Sequence, residues 1–204
     1  MTSPRRALIV IDVQQEYFDG PLAIQHPPRE ESLSRIVDAV RFAHEQGVPV
    51  AVILHDSGEA APVFATGSAR QAIHPALAAA LAYDDIFVKD RSSAFDGTAL
   101  ADWCRARDID TITLVGYMTN NCVIATAAGA EVHDLAVEVL SDATGAIHLS
   151  NERGTVPARA VHETLMTLLH SNFAAVTDTA GWMASVRAGI PTSRSSLIAS
   201  ATAS

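Results

Sequence analysis

One cysteine lies where its chemistry could be used. Cys122 follows the β-rich run 111–115 and comes directly before the segment 123–132, which has helical spacing and small side chains. A thiol at a helix N-terminus is near the positive end of the helix dipole, so we expect a shift toward thiolate. Thiolate is the nucleophilic form, and Cys122 could therefore attack a carbonyl carbon covalently. The alternative is that Cys122 is a small buried apolar residue, as most free cysteines are.

Two charged side chains end other predicted strands and could meet this thiol. Asp12 ends the apolar run that starts at Ala7, and apolar residues on both faces are typical of a central parallel strand. Lys89 ends the short apolar run that starts at Asp85. Ligands gather at the carboxyl ends of such strands, where a carboxylate could take the thiol proton and an ammonium could hold charge. Alternatively, Asp12 is a turn residue and Lys89 an exposed strand-end charge.

The motifs that contain Asp12, Lys89 and Cys122, in that order along the chain, resemble those of the isochorismatase-like cysteine hydrolases. This family includes nicotinamidases and N-carbamoylsarcosine amidases. The first strand ends in D-x-Q at Asp12-Val13-Gln14, and an aromatic residue, Tyr17, follows shortly after. Lys89 is followed by S-x-F-x-G-T over residues 93–98. The cysteine lies in G-x-x-T-x-x-C-V-x-x-T-A over residues 116–127. The resemblance extends from about residue 7 to about residue 186 and implies a catalytic triad of Asp12, Lys89 and Cys122.

The resemblance also implies how an oxyanion would be held. It predicts a cis peptide bond between Tyr117 and Met118, and backbone N–H donors from Met118 and Cys122 that point at the developing charge. We further expect Gln14, Tyr17 and Tyr117 to bind substrate.

The long segment after the second predicted strand should carry specificity, because loops at strand ends collect binding residues. His55 could line the pocket as a hydrogen-bonding group, or it could merely cap its strand. Phe64 and Phe95 could form apolar walls, although loop aromatics also cover core edges. Nicotinamidases of the family that the sequence resembles bind a divalent metal in this region through an Asp-x-His pair and a further histidine. Here His55 and Asp56 are adjacent instead, and the next histidine is His74. Since a metal needs three or four converging ligands, we expect neither metal nor other cofactor.

Composition and net charge exclude some classes of binding partner. The chain has 204 residues, is 49% hydrophobic and carries a formal net charge of −9. Acidity argues against nucleic acid and anionic membranes, since both are polyanions. No run approaches the ~20 apolar residues of a membrane span, and no signal peptide is recognised. Two cysteines make no disulfide framework, so we predict a cytoplasmic protein with a small-molecule substrate, in which Cys104 serves packing.

Strands and helices alternate along the chain, which predicts an α/β fold. We expect a three-layer sandwich with a mostly parallel six-stranded sheet in Rossmann-like, isochorismatase-like order. Residues 1–190 form one predicted domain and residues 191–204 a flexible tail. The G-x-G-x-x-G fingerprint of dinucleotide-binding domains is absent. The predicted strands lie near 7–12, 48–54, 86–89, 111–115, 136–140 and 173–176, and the helices near 30–46, 97–107, 121–132, 158–171 and 179–187.

The function that these features predict is hydrolysis of a small amide, lactam or carbamoyl compound through a thioester on Cys122. One alternative is a metal-free, non-covalent hydrolase of the isochorismatase type that uses Asp12 without the cysteine. The other is a non-catalytic binding protein on the same fold. The resemblance also predicts a homo-oligomer, a dimer or larger.

Overall fold

Strands and helices alternate through residues 3–82 and 85–203, which the computed structural model describes. The strands are β1 (Arg6–Ile11), β2 (Val50–His55), β3 (Asp85–Lys89), β4 (Thr111–Tyr117), β5 (Ala136–Gly145), β6 (Leu149–Asn151), β7 (Gly154–Val156) and β8 (Ala175–Thr177). The helices are α1 (Glu16–Asp19), α2 (Arg29–Gln46), α3 (Pro75–Ala78), α4 (Leu100–Ala106), α5 (Ile124–Gly129), α6 (Ala158–Ser171), α7 (Thr179–Ala188) and α8 (Leu197–Thr202). A π-helical turn (Thr119–Val123) precedes α5, and a 3₁₀ turn (Ala130–His133) follows it.

Six strands form one sheet in the order β3-β2-β1-β4-β5-β8, and all five pairings are parallel. The predicted fold class and all six predicted strands are confirmed. β1 lies in the middle because its side chains are apolar on both faces: Leu8 and Val10 enter one core cluster, Ile9 and Ile11 the other. The antiparallel hairpin of β6 and β7 was not predicted.

Helices cover both faces of the sheet and give the three predicted layers. Side chains of α2, α3 and α7 pack in one cluster, and those of α4, α5 and α6 pack in the other, which also contains Cys122. Helix α2 ends at Gly47, whose φ of 68° is left-handed, as expected of a C-terminal stop. The predicted helix 121–132 is divided instead: the π-helical turn carries the cysteine, and α5 begins only at Ile124.

The strand order reverses beside β1, whose two neighbours, β2 and β4, lead the chain to opposite edges of the sheet. Ligands of open α/β sheets bind outside the carboxyl ends of the strands at such a switch point. Here β1 and β4 approach closely at Gly116, which has a φ of 103°. A Cβ atom on Gly116 would lie 2.1 Å from the Ile11 carbonyl oxygen, so the position requires glycine. This close contact holds the ends of β1 and β4, and the residues after them, side by side.

The segment after residue 190, predicted as a flexible tail, contains helix α8. The Thr192 hydroxyl donates a hydrogen bond of 2.7 Å to the buried carboxylate of Glu138. No helix among the described residues is both long enough and apolar enough to cross a membrane.

Candidate active site

Asp12, Lys89 and Cys122 meet at the carboxyl ends of the central strands. The Lys89 Nζ atom lies 2.7 Å from Asp12 Oδ2, 3.3 Å from Cys122 Sγ and 3.0 Å from His55 Nδ1. An ammonium group has three protons and can only donate, so all three are used. It follows that His55 Nδ1 accepts and that the proton of the neutral imidazole is on Nε2. The structure thus brings the three predicted catalytic residues together and adds His55 as a fourth member.

This cluster is buried, and burial governs its protonation. The side chains of Lys89 and Asp12 have no exposed surface, and Cys122 is 2% exposed. Burial raises the pKa of Asp12 above its usual value, although the Lys89 charge opposes this shift. Burial, followed by the nearby Asp12 charge, raises the pKa of Cys122 to about 12. The expected shift of Cys122 toward thiolate is therefore wrong: desolvation outweighs the dipole of a helix that starts only after the cysteine.

The S-x-F-x-G-T motif forms the turn that joins Lys89 to the cysteine helix. The Thr98 hydroxyl donates to the Ala94 carbonyl oxygen at 2.6 Å, and Gly97 has the left-handed φ of 73° that this turn needs. The Ala94 N–H donates to the Thr126 hydroxyl at 2.9 Å, and that hydroxyl donates to the Cys122 carbonyl oxygen at 2.7 Å. The motif thus fixes Cys122 relative to the strand that carries Lys89.

Gln14 has a different role from the one predicted. Its amide nitrogen donates to the carbonyl oxygens of His55 and Gln71, and its amide oxygen accepts from the His55 N–H at 2.8 Å. Both donors are used within the protein, and the side chain is fully buried. The structure therefore does not support Gln14 as a substrate contact; the residue fixes the end of β2, and with it His55.

Tyr17, Phe64 and His55 form an aromatic group next to the lysine. The Phe64 ring centroid is 5.2 Å from that of Tyr17 and 5.1 Å from that of His55. Burial, and then the proximity of Cys122 and Asp12, raise the pKa of Tyr17 well above its usual value, so the phenol stays protonated. His55 remains partly exposed, and burial and the adjacent Lys89 charge lower its pKa. A neutral His55 is what its contact with Lys89 requires.

The other two predicted substrate residues are mainly packing residues. Tyr117 is fully buried, its hydroxyl lies 2.8 Å from the Ser32 hydroxyl of α2, and its ring packs against Tyr17. Direct substrate contact by Tyr117 is therefore not supported. Phe95 packs in the cluster that contains Cys122, and its ring lies against His133.

The turn that carries Cys122 follows a cis peptide bond between Tyr117 and Met118, at the position that the family resemblance predicts. The turn also includes contacts that sequence reasoning missed. The Met118 carbonyl oxygen accepts hydrogen bonds from the N–H groups of Asn121 and Val123, at 3.1 and 3.2 Å. The Thr119 hydroxyl lies 3.0 Å from Nδ1 of His162, a buried residue of α6. Thr119 belongs to the cysteine motif, but no spacing in the sequence could have paired it with a histidine 43 residues further along the chain.

A cavity of about 780 Å³ opens beside Lys89. It is lined by Asp56, Ser57, Gly58, Val88, Lys89, Asp90, Arg91 and Gly97. These residues lie at the end of β3 or in the segments that follow β2 and β3, so the cavity lies at the carboxyl edge of the sheet; neither Asp12 nor Cys122 lines it. Within residues 3–82 and 85–203, no cluster of three or more His, Cys, Asp or Glu side chains could hold a metal ion.

Comparison with known proteins places this arrangement in a family. The model of the isochorismatase domain matches residues 6–181, which is most of the chain. The chain belongs to the isochorismatase family. The prediction of an isochorismatase-type hydrolase fold is thereby confirmed, and the matched region includes every residue of the cluster described above.

Individual isochorismatase-family relatives agree with this assignment. The crystal structure of a candidate isochorismatase from Burkholderia xenovorans is 44% identical, with a TM-score of 0.95 over 98% of this chain and 96% of the other. A cysteine hydrolase from Pseudomonas syringae is 26% identical, with a TM-score of 0.83 over 93% and 95% of the two chains. The nicotinamidase/pyrazinamidase of Mycobacterium tuberculosis is 28% identical over 163 residues, 70% of this chain and 87% of that protein.

Proposed function

We propose that this isochorismatase-family protein is a cysteine hydrolase that cleaves a small amide, lactam or carbamoyl compound through a thioester. The observation that carries the proposal is the position of Lys89 Nζ, within hydrogen-bonding distance of both Asp12 Oδ2 and Cys122 Sγ in a buried cluster. A nucleophile, a base and a cation that orients both are the parts that covalent catalysis requires.

In the first half-reaction, Asp12 takes the thiol proton while Cys122 Sγ attacks the substrate carbonyl carbon. Asp12 Oδ1 suits this task because it is buried and has no hydrogen-bond partner among the described residues. The raised pKa of Cys122 means that the resting thiol is protonated, so the proton must leave as the C–S bond forms. Lys89 favours the charged sulfur electrostatically. The N–H groups of Met118 and Cys122 would hold the oxyanion.

Collapse of the tetrahedral intermediate breaks the C–N bond, and protonated Asp12 returns the proton to the leaving nitrogen. The amine departs, or stays attached to the acyl group when the substrate is a lactam, and the acyl group stays on Cys122 as a thioester. Asp12 then takes a proton from water, whose oxygen attacks the thioester carbon. The C–S bond breaks, the proton returns to the sulfur, and the acid is released. Each proton that Asp12 accepts is returned within the same half-reaction.

The surroundings support a small substrate. Tyr17, Phe64 and His55 supply an aromatic side to the cluster, and the neutral His55 would present its Nε2–H as a donor. The kinship with the nicotinamidase/pyrazinamidase of Mycobacterium tuberculosis makes nicotinamide and pyrazinamide the first amides to test.

The decisive experiment is to trap the acyl-enzyme. The protein is incubated with a panel of aromatic amides, lactams and carbamoyl compounds and with p-nitrophenyl acetate as an activated acyl donor, then quenched in acid for intact mass and peptide mapping. We expect an acyl adduct on Cys122 alone, and loss of both adduct and turnover in Cys122→Ala.

The matched control is Cys104→Ala, which removes the other buried thiol. Unchanged amide turnover by Cys122→Ala would refute the covalent mechanism and favour the non-covalent hydrolase. Absence of both adduct and turnover with every compound in the wild-type protein would favour the binding protein.

Two coarser expectations accompany this proposal. Both cysteines are free, as is usual for proteins of a reducing compartment, so we propose a cytoplasmic enzyme. The homo-oligomer remains a prediction, which light scattering coupled to gel filtration would test.

A further inference from the structure

The strongest unassigned contact near the cluster is a hydrogen-bonded chain from the nucleophile turn into the protein. The Thr119 hydroxyl lies 3.0 Å from His162 Nδ1, and His162 Nε2 lies 3.0 Å from the Ser141 carbonyl oxygen. The chain therefore links three elements: the turn that carries Cys122, helix α6, and strand β5. Thr119 and His162 are both buried.

The partners determine the direction of each hydrogen bond. A carbonyl oxygen can only accept, so the neutral imidazole carries its proton on Nε2 and donates it to Ser141. Nδ1 is then an acceptor and must receive the proton of the Thr119 hydroxyl. Burial, and then the charge of the neighbouring His26, lower the pKa of His162 to about 4, which keeps this arrangement in place near neutral pH. His162 thus joins a donor on one side to an acceptor on the other.

The turn that holds Cys122 is fixed by side chains on both of its flanks. On the C-terminal side, the Thr126 hydroxyl donates a hydrogen bond to the Cys122 carbonyl oxygen and accepts one from the Ala94 N–H. On the N-terminal side, Thr119 lies between Met118 and Cys122 in the sequence. The hydrogen bond from Thr119 to His162 fixes this side of the turn. The turn is π-helical and departs from the regular α-helix that follows it, so these side-chain ties help to decide where the sulfur and the Met118 N–H lie.

We propose that His162 is a positioning residue of this hydrolase, which holds the nucleophile turn through Thr119 so that the Cys122 thiol and the Met118 N–H converge on one carbonyl group. This inference rests on the proposed function for the reaction that it serves. His162 does not touch the reacting atoms. Displacement of a reacting group by about 1 Å through a distant mutation can cost about a hundredfold in rate, so loss of the tie should be visible in catalysis.

Two conservative variants separate the two ends of the imidazole. The side-chain oxygen of His162→Asn can occupy the Nδ1 position and accept from Thr119. The side-chain amide of His162→Gln can occupy the Nε2 position and donate to Ser141, but it leaves Thr119 without an acceptor. Thr119→Val and Thr119→Ser test the same bond from its other end, since only serine keeps the hydroxyl.

A matched control lies in the same helix. His170 Nδ1 accepts a hydrogen bond from the Val176 N–H at 3.0 Å, and this contact ties α6 to β8 rather than to the nucleophile turn. His170→Gln therefore removes a comparable histidine hydrogen bond and should destabilise the fold without moving Cys122. Urea unfolding of each variant records the loss of stability that any change in rate must be compared with.

The readouts are the burst rate of Cys122 acylation by p-nitrophenyl acetate and the alkylation rate of Cys122 by iodoacetamide. Acylation needs both the sulfur and the oxyanion donors, whereas alkylation needs the sulfur alone. We expect His162→Gln and Thr119→Val to lower the acylation rate by about tenfold or more, and the alkylation rate by less. His162→Asn and Thr119→Ser should recover most of the acylation rate, and His170→Gln should match the wild-type protein.

The outcomes distinguish this inference from the proposed function. If His162→Gln and Thr119→Val are acylated as fast as His170→Gln, the positioning role is wrong. Equal losses in His162→Asn and His162→Gln would also overturn it, because the effect would then not depend on the bond to Thr119. If wild-type Cys122 is not acylated at all, the proposed function fails. In that case, alkylation that still depends on the Thr119 bond would uphold the positioning role.

Discussion

Replacement of Lys89 by methionine is the perturbation whose result the structure predicts most directly. Methionine has a similar length and no charge, so the main change is loss of the ammonium group from a fully buried cluster. At a separation of 2.7 Å and an effective dielectric constant of about 20, the attraction between Lys89 and Asp12 is about 6 kcal/mol. The desolvation of both charges offsets much of this attraction. What matters for the variant is that Asp12 would remain buried without a counterion.

Removal of one partner from a buried ion pair costs about 3–5 kcal/mol. A protein of ordinary stability has about 5–15 kcal/mol in total, so Lys89→Met should unfold at a much lower urea concentration. The double variant Asp12→Asn, Lys89→Met should recover most of this loss, because an uncharged pair of similar volume carries no uncompensated charge. Both variants should lack hydrolase activity. The wild-type protein, the two single variants Asp12→Asn and Lys89→Met, and the double variant form a double-mutant cycle, which is measured by urea unfolding at pH 7.

The exposed pair Asp102 and Arg105 on α4 is the control, since both side chains are more than two-thirds exposed. The corresponding cycle with Asp102→Asn and Arg105→Met should give a coupling of about 1 kcal/mol or less. If the Asp12–Lys89 cycle gave an equally small coupling, the two side chains would not form a buried pair in solution. Substantial turnover by Lys89→Met would refute the catalytic role of the lysine.

Three further predictions follow from individual contacts. The acid limb of the profile of kcat/KM against pH should lie above pH 3.8, because burial raises the pKa of Asp12 from that value. Asp12 must be ionised to act as a base, so activity falls as the pH falls through the raised pKa. A limb below pH 3.8 would contradict this assignment. His55→Ala should lower kcat/KM by about tenfold or more, since Lys89 loses an acceptor worth about 1.5–3 kcal/mol, and His55→Asn, which keeps an acceptor near Nδ1, should recover part of the loss. Gly116→Ala should lower the free energy of unfolding by about 1–3 kcal/mol, because its Cβ would overlap the Ile11 backbone. Gly58 also has a positive φ but open space around it, so Gly58→Ala should cost less. Equal losses at the two positions would show that the contact between β1 and β4 is unimportant.

Local sequence pattern determined the elements and the chemistry at their ends. The apolar runs that end at Asp12 and Lys89, and the run before Cys122, are short and rich in β-branched residues, which favours strands over helices. Because the carboxyl ends of parallel strands share one edge, the three side chains could be placed near one another before any contact was known. The order of the motifs supplied the family, and with it the strand order.

Only the tertiary structure decided how those side chains behave. The pKa of Cys122 depends on how much water is removed and on the distance to Asp12, and neither quantity is written in local sequence. Burial therefore reversed the expected shift toward thiolate. Gln14 belongs to the D-x-Q motif, yet its amide is used by the backbones of His55 and Gln71, which are distant in the chain. The bond from Thr119 to His162 likewise exists only because α6 packs against the nucleophile turn. Hydrogen bonds between residues far apart in sequence are made when the layers pack, and they are the part of this site that residue types and spacing do not encode.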